Sequence, residues 1–464
     1  MVNNIVKKLN NIINMKYFFD VYLVLLSIIT ITSFIINPVI GIETLIITMI
    51  LLLLLTSDMK YIIPNLLFLI FNFNNGFKVD EFPLFLIINV AIIIITLVIF
   101  MIKNRVIFNK MQSWIGFVGL AIVEFIPIFW NKTITDDNKA LYVLYFANIG
   151  YFLLYALLVN GIKSKSNIYL AKSISYLLII IPIECIYKVS ILAPTVDNMF
   201  TLHYFIGWGM CNEASIMILV ALPFSFYLIT KEKNIYLIMI EIVKIIMAIV
   251  GVIFTFSRGG YIFLPIELLA LVTLAIIFNY KRNGFKYFVT CISISLILFL
   301  IIKANDIPEF NNNVLNVVFK NGLSDSGRIN LYKDAFKLFN SNGLYNLFGS
   351  GIVSEVRTLP TAYGIQENAV VIYHSTLFET LVIGGLIGFI FILILIKDKY
   401  SSLIKTNKHL LSYLLVGYLV VEIYGLFDNT YHMYYYMIIM AIIMAVIDND
   451  NYYDNKRKDY YKLF

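Results

Sequence analysis

Apolar runs of helix length succeed one another from residue 17 to residue 447, and the hydrophilic segments between them are short in every case but one. A helix needs about 20 such residues to cross the hydrocarbon core of a bilayer, where every backbone N–H and C=O must be satisfied within the segment. The pattern predicts an all-α, polytopic transmembrane helical bundle. About fourteen spans are expected, over residues 17–37, 39–57, 61–74, 83–102, 112–130, 140–160, 169–189, 206–230, 235–256, 261–279, 287–303, 369–396, 409–427 and 432–447. The third is short and contains Pro64, so a re-entrant segment there is an alternative. The first lacks a small-residue cleavage site and runs straight into the second, which reads as a membrane helix rather than a cleaved signal. With 60% hydrophobic and 14% charged residues, the chain is excluded from the ordinary soluble class.

Charge sets the expected orientation. Lys7, Lys8 and Lys16 precede the first span. Basic clusters then recur on alternate loops, at Lys103/Arg105/Lys110, Lys163/Lys165, Lys231/Lys233, Lys281/Arg282/Lys286 and Lys397/Lys399/Lys405/Lys408, with Lys456-Arg457-Lys458 in the tail. The positive-inside rule assigns these to the cytoplasm, with both termini on that side. The net charge of +7 is then an insertion signal, and without a basic-aromatic domain no nucleic-acid partner is expected. Cys185, Cys211 and Cys291 fall in three different spans, with no metal or redox spacing.

The chain divides into helices 1–11 over residues 1–303, an extracytoplasmic loop over 304–368, helices 12–14 over 369–447 and a cytoplasmic tail over 448–464. Within the loop, Ile329, Tyr332, Ala335, Phe336 and Phe339 recur at helical spacing. Asp325 or Ser326 would cap this amphipathic helix, Asn340-Ser-Asn-Gly343 would stop it, and Arg328 would stand in its first turn. It is expected to lie on the outer membrane surface or to fold back over a cavity.

Arg258 interrupts the apolar stretch from Ile235 to Phe278. A fixed cation at a bilayer edge is costly, and its neighbours point to an anion site. Ser257 is a good N-cap, while Gly259 and Gly260 let another group approach the backbone. The following helix would aim free N–H groups and a guanidinium at one spot, suited to a phosphate. Glu43, Glu124, Glu184, Glu213, Glu267, Glu379 and Glu422 fall in or near the outer halves of their helices, which predicts a polar cavity open to the outside. The alternative is that each pairs with a neighbouring helix. His374 and His432 face the same side as Arg258 and Arg328; His203 and His409 are read as structural or solvated. Tyr204, Tyr373, Tyr431 and Tyr434 could stack on sugar rings or anchor the interface. Asp136-Asp137 is an isolated acidic pair, so no metal is expected.

Several short motifs follow in order: Gly209-Met-Cys-Asn212-Glu213 with Pro223 downstream, Ser257-Arg-Gly-Gly260, Ser326-Gly-Arg328, Gly349-Ser-Gly351, Tyr373-His374-Ser375 and Gly384-Gly-Leu-Ile-Gly388. In this order, over residues 200–395, the chain resembles the O-antigen ligase and O-antigen polymerase family of bacterial membrane glycosyltransferases. Ser375 stands where members commonly show asparagine. The resemblance implies a donor glycan carried on undecaprenyl diphosphate, transferred to a hydroxyl of an acceptor glycan at the outer face of the cytoplasmic membrane. Arg258 and Arg328 would grip the leaving diphosphate and His374 would act as base or phosphate ligand. Ser257, Gly259, Gly260, Ser326, Asn212, Glu213, Tyr373, Glu379 and His432 would complete the substrate site, with no cofactor. Direct attack at the anomeric carbon would invert configuration. A polymerase, with a chain-length regulator as a further partner, is the first reading. A ligase handing finished glycan to a lipid or protein acceptor is the second, and a lipid-linked oligosaccharide flippase the third.

Overall fold

The computed structural model describes residues 17–76, 84–131, 133–134, 141–142, 144–192, 204, 206–207, 209, 211–279, 328–361 and 364–462. Its helices are α1 (Phe18–Ile36), α2 (Pro38–Leu55), α3 (Ile63–Gly76), α4 (Leu84–Lys103), α5 (Trp114–Phe125), α6 (Ala147–Gly161), α7 (Asn167–Ser175) and α8 (Leu177–Leu192). They continue as α9 (Cys211–Lys231), α10 (Ile235–Thr255), α11 (Arg258–Asn279), α12 (Arg328–Phe339), α13 (Gly343–Phe348), α14 (Thr376–Ile404), α15 (Lys408–Gly425) and α16 (Tyr434–Lys462). Asparagine starts several of them by accepting a backbone N–H at the first turn. Asn37 accepts from Val39, Asn234 from Tyr236 and Asn407 from His409, each at 3.0 Å.

Among the described residues, eight helical segments are long and apolar enough to cross a membrane, and Met59–Ile70, Ile88–Lys103 and Trp114–Phe129 are shorter apolar helices. The expected span over 287–303 lies outside the described residues. Helix α9 forms the centre: every residue from Ala214 to Thr230 is buried, as a helix apolar all round requires. It is packed by α7, α8, α10, α11 and α15.

The helical expectation holds for the bundle, with one correction in the loop. Strands β1 (Val356–Thr361) and β2 (Gly364–Val370) form an antiparallel hairpin, pairing Val356 with Val370 and Thr361 with Gly364. The chain is therefore not wholly α. Pro360, paired with Ile365 near the turn end, is tolerated because a two-stranded ladder has free edges.

Helix α14 is broken at Gly385, whose φ of 60° and ψ of −157° are open only to glycine. Gly349 packs backbone to backbone on this break: a Cβ there would lie 2.2 Å from the Ile383 carbonyl oxygen. Ser350 N–H donates to Val382 O at 2.7 Å and Gly351 N–H to Ile383 O at 3.1 Å. The two glycine motifs thus join the loop to the membrane helix.

Lys399 does not stand in a cytoplasmic basic cluster as expected. It is buried, 1% exposed, and donates to Glu422 and, at 2.8 Å, to Tyr431 Oη. The rings of Tyr418, Tyr400 and Tyr431 surround the ammonium at 4.5–5.3 Å. This ties α14 to α15 and to the loop after it. Lys399→Met alone strands a carboxylate and is expected to cost about 3–5 kcal/mol. Lys399→Met/Glu422→Gln should recover most of that in detergent thermal unfolding. Equal losses in the single and double variants would contradict the pairing.

Helix α16 runs on past residue 447 into the expected tail, burying Asp448, Asn449, Asp450 and Asn451. Asp448 accepts from Tyr155 at 2.6 Å and Ser113 at 2.9 Å, and Asp450 accepts the Ser166 and Asn167 N–H groups at 2.8 and 3.1 Å. These carboxylates are kept in the bundle because each has donors waiting for it.

Candidate active site

Five chain segments meet at one end of the bundle: the start of α9, the α10–α11 junction, the start of α12, the start of α14 and the loop joining α15 to α16. At the junction, Phe256 takes a left-handed conformation (φ 55°), which costs a bulky residue roughly 1–2 kcal/mol. That turn lets α10 end and α11 begin within two residues. Ser257 then caps α11 as the sequence predicts, its Oγ accepting the Gly260 N–H at 3.1 Å. Arg258 is the first residue of α11 and is exposed. Its guanidinium makes no hydrogen bond or ion pair with another described residue.

The groups that approach the two glycines are the protein's own. A Cβ on Gly259 would lie 2.4 Å from the Tyr424 ring and one on Gly260 2.5 Å from Ser215 Oγ. They bring α11 tightly onto α15 and α9.

From Ser257 a series of bonds leads across the site. Its Oγ donates to Asn212 Oδ1 at 2.7 Å and lies 2.8 Å from Tyr424 Oη. Asn212 Nδ2 donates to Asp428 Oδ2 at 2.6 Å. Asp428 Oδ1 is 3.2 Å from His374 Nδ1 and accepts the Asn429 N–H at 2.8 Å. Arg328 Nη1 donates to Phe427 O at 2.6 Å, and its Nη2 is 3.8 Å from Asp428 Oδ2. Three predicted residues (Asn212, Arg328 and His374) therefore converge on one buried carboxylate, Asp428, and Ser257 reaches it through Asn212.

His374 is held by its backbone as well. Its φ of 48° is left-handed, and its carbonyl accepts from Tyr332 Oη at 3.1 Å. Such strain in a non-glycine residue persists only where surrounding contacts enforce it. The side chain remains 41% exposed, so one face of the imidazole is open.

Other predicted residues fall elsewhere. Tyr373 is fully buried among Ala335, Val371 and Val382, and its N–H donates to Glu379 at 2.7 Å. It packs α12 on α14 and is not placed to stack on a sugar. Glu379 is buried in that contact. His432 is 3% exposed, its Nε2 2.9 Å from Thr380 Oγ1 and its Nδ1 3.5 Å from Glu124. Enclosed in this way, it is a packing group rather than a cavity lining. Glu213 lies in the first turn of α9, against Gly209. Ser326 and His203 lie outside the described residues. Tyr204 and Tyr431 are buried too, the former donating to Phe254 O at 2.5 Å; Tyr434 is exposed.

Several of the outer carboxylates are met by donors from neighbouring segments. Asn89 donates to Glu43 at 2.9 Å, Asn148 to Glu124, Gly207 N–H to Glu184 at 2.7 Å and Lys399 to Glu422. An ionised carboxylate in an apolar interior is costly without such a partner; Glu267, fully buried, has none among the described residues. A cavity of about 460 Å³, lined by Asp20, Lys172, Glu241 and Lys244, lies at the other ends of α9 and α10 and includes none of the site residues. Among the described residues, no group of three or more His, Cys, Asp or Glu side chains is placed to hold a metal ion.

A family model described as O-antigen ligase matches residues 242–393. Over that segment, about a third of the chain, the protein is similar to the O-antigen ligase family. No curated protein matches the chain. The matched segment carries Ser257, Arg258, Arg328 and His374, whereas Asn212 and Asp428, which join them, lie on either side of it. Sequence reasoning misses Asp428 as a site residue. Its one signal is a carboxylate placed three residues beyond an apolar helix, beside an asparagine and near His432.

Proposed function

We propose that the chain is a polysaccharide polymerase, transferring a glycan from undecaprenyl diphosphate to a hydroxyl of an acceptor glycan at the outer face of the bacterial cytoplasmic membrane. The supporting observation is the bonded series Ser257–Asn212–Asp428–His374, with Arg328 against Asp428 and Arg258 open beside Ser257. The family match supports the reaction class, an O-antigen ligase or polymerase type of membrane glycosyltransferase. In this reading about fourteen spans leave both termini in the cytoplasm, and the loop over 304–368 forms an outer subdomain over the site.

The acceptor hydroxyl attacks the anomeric carbon, a new C–O bond forms there with inversion, and the bond to the phosphate oxygen breaks. The proton goes to His374. Its Nδ1–H donated to Asp428 leaves Nε2 as the acceptor, the same division of labour by which a carboxylate orients a catalytic imidazole elsewhere. The diphosphate departs with growing negative charge. Arg258, Arg328 and the first-turn N–H groups of α11 that the Ser257 cap does not take up would stabilise it without a metal. Glu213 is a candidate for holding sugar hydroxyls, and a chain-length regulator is a candidate partner.

The ligase reading is favoured by the description of the matching family itself. It shares the donor site and differs in the acceptor. In cells lacking the native gene, His374→Ala and Arg328→Ala are each expected to lower glycan transfer by about 10²–10³-fold. The lipid-linked unit should accumulate while the protein stays inserted. Products lengthened by repeat units indicate a polymerase; a single finished glycan moved to a lipid or protein indicates a ligase. Full-length glycan in the Arg328 variant would reject the diphosphate role.

A further inference from the structure

Helix α12 carries more apolar surface than its packing uses. Its inner seam is fixed on α14: Tyr332 stacks on Phe378 with ring centroids 4.6 Å apart, and Ala335 is buried beside Tyr373 and Val382. These contacts fall on the first turns of α14, a helix long and apolar enough to span a membrane. The helix is therefore held within a turn or two of the point where a span begins. Next to the seam, Ile329 and Phe336 share a face, being two turns apart, and are 52% and 56% exposed. Leu344 and Leu347 of α13 add exposures of 46% and 47%. Lys333 and Lys337, also exposed, border this strip on the side away from α14, and Asn330 lies beyond them. Exposed Ile372, Leu377, Leu426 and Phe427 continue the apolar surface around the start of α14 and the end of α15.

An apolar strip edged by lysines, at the level of a span end, fits one environment: the acyl–headgroup boundary of a bilayer, with the ammonium groups reaching anionic phosphates. We infer that α12 is an interfacial anchor resting in the membrane surface and recognising anionic lipid headgroups. The assignment to the outer leaflet rests on the topology proposed above; the lipid contact does not. Because Arg328 is carried by the same helix, the anchor also fixes the height of that guanidinium relative to the bilayer.

The test uses full-length protein in vesicles. Phe336→Trp and Asn330→Trp are each compared with the parent, whose three tryptophans supply the background. Brominated phosphatidylglycerol and brominated phosphatidylcholine serve as quenchers. Residue 336 should be quenched by lipid and shielded from acrylamide, with the reverse at residue 330. Phosphatidylglycerol should quench more strongly than phosphatidylcholine. Converting Lys333 and Lys337 to glutamine should lower that preference by about five-fold per lysine, given roughly 1 kcal/mol per cation at an anionic surface. Acrylamide reaching both positions equally, without lipid quenching, would overturn the membrane placement. Equal quenching by the two lipids would overturn the headgroup recognition. Neither readout depends on glycan transfer, so failure here is separable from failure of the transferase proposal.

Discussion

Asp428→Asn is expected to reduce glycan transfer by about 10²–10⁴-fold, the range that a mis-set general base produces, while the protein folds and inserts normally. The substitution keeps the size of the side chain but changes what it offers. An amide can present its NH₂ to His374, which favours the imidazole tautomer with the proton on Nε2 and removes the acceptor from the acceptor-sugar side. It also takes away the charge facing Arg328 Nη2 at 3.8 Å and gives Asn212 a weaker acceptor in place of its 2.6 Å bond. Purified protein and a lipid-linked donor would show the effect as a fall in kcat, with melting temperature little changed. Near-native turnover in Asp428→Asn would remove Asp428 from the centre of the site.

The second large effect is expected at Arg258. Arg258→Ala should lower kcat/KM by about 10²–10³-fold, as loss of a preorganised donor at developing charge does elsewhere. Little loss of stability is expected, because the guanidinium is exposed and bonds to no described residue. Arg258→Lys should restore only part of the activity, since an ammonium keeps the charge but not the planar fork that meets two phosphoryl oxygens. Ser257→Ala makes a useful contrast. It removes the α11 cap and the bond to Asn212 together, so it should lower stability by about 1 kcal/mol as well as activity.

Much of this arrangement is legible in the chain because it depends on local rules. Ser257 before Arg258 reads as a cap, and it is one. Arg328 ahead of an amphipathic period reads as part of its helix, and α12 carries it. Long-range pairing is what the order of residues hides. Asp428 has no motif around it, and its three partners come from positions 212, 328 and 374. Lys399 looks like a loop cation because Lys397 and Lys405 flank it, yet helix α14 turns it inward to Glu422. Tyr373 and His432 look available at a membrane edge, and both are taken up in packing α14 against its neighbours. The hairpin over 356–370 escapes notice because Pro360 and Gly364 break the alternation that a strand would display.

The central claim is that Arg258 and Arg328 act on one diphosphate. The most direct test is a double-mutant cycle on the binding of undecaprenyl diphosphate to purified protein, using Arg258→Ala, Arg328→Ala and the double variant. A shared ligand predicts that each single variant binds weakly and that the double variant is little worse, with a coupling of at least about 0.5–3 kcal/mol. Losses that add in full, or binding unaffected by either substitution, would contradict it.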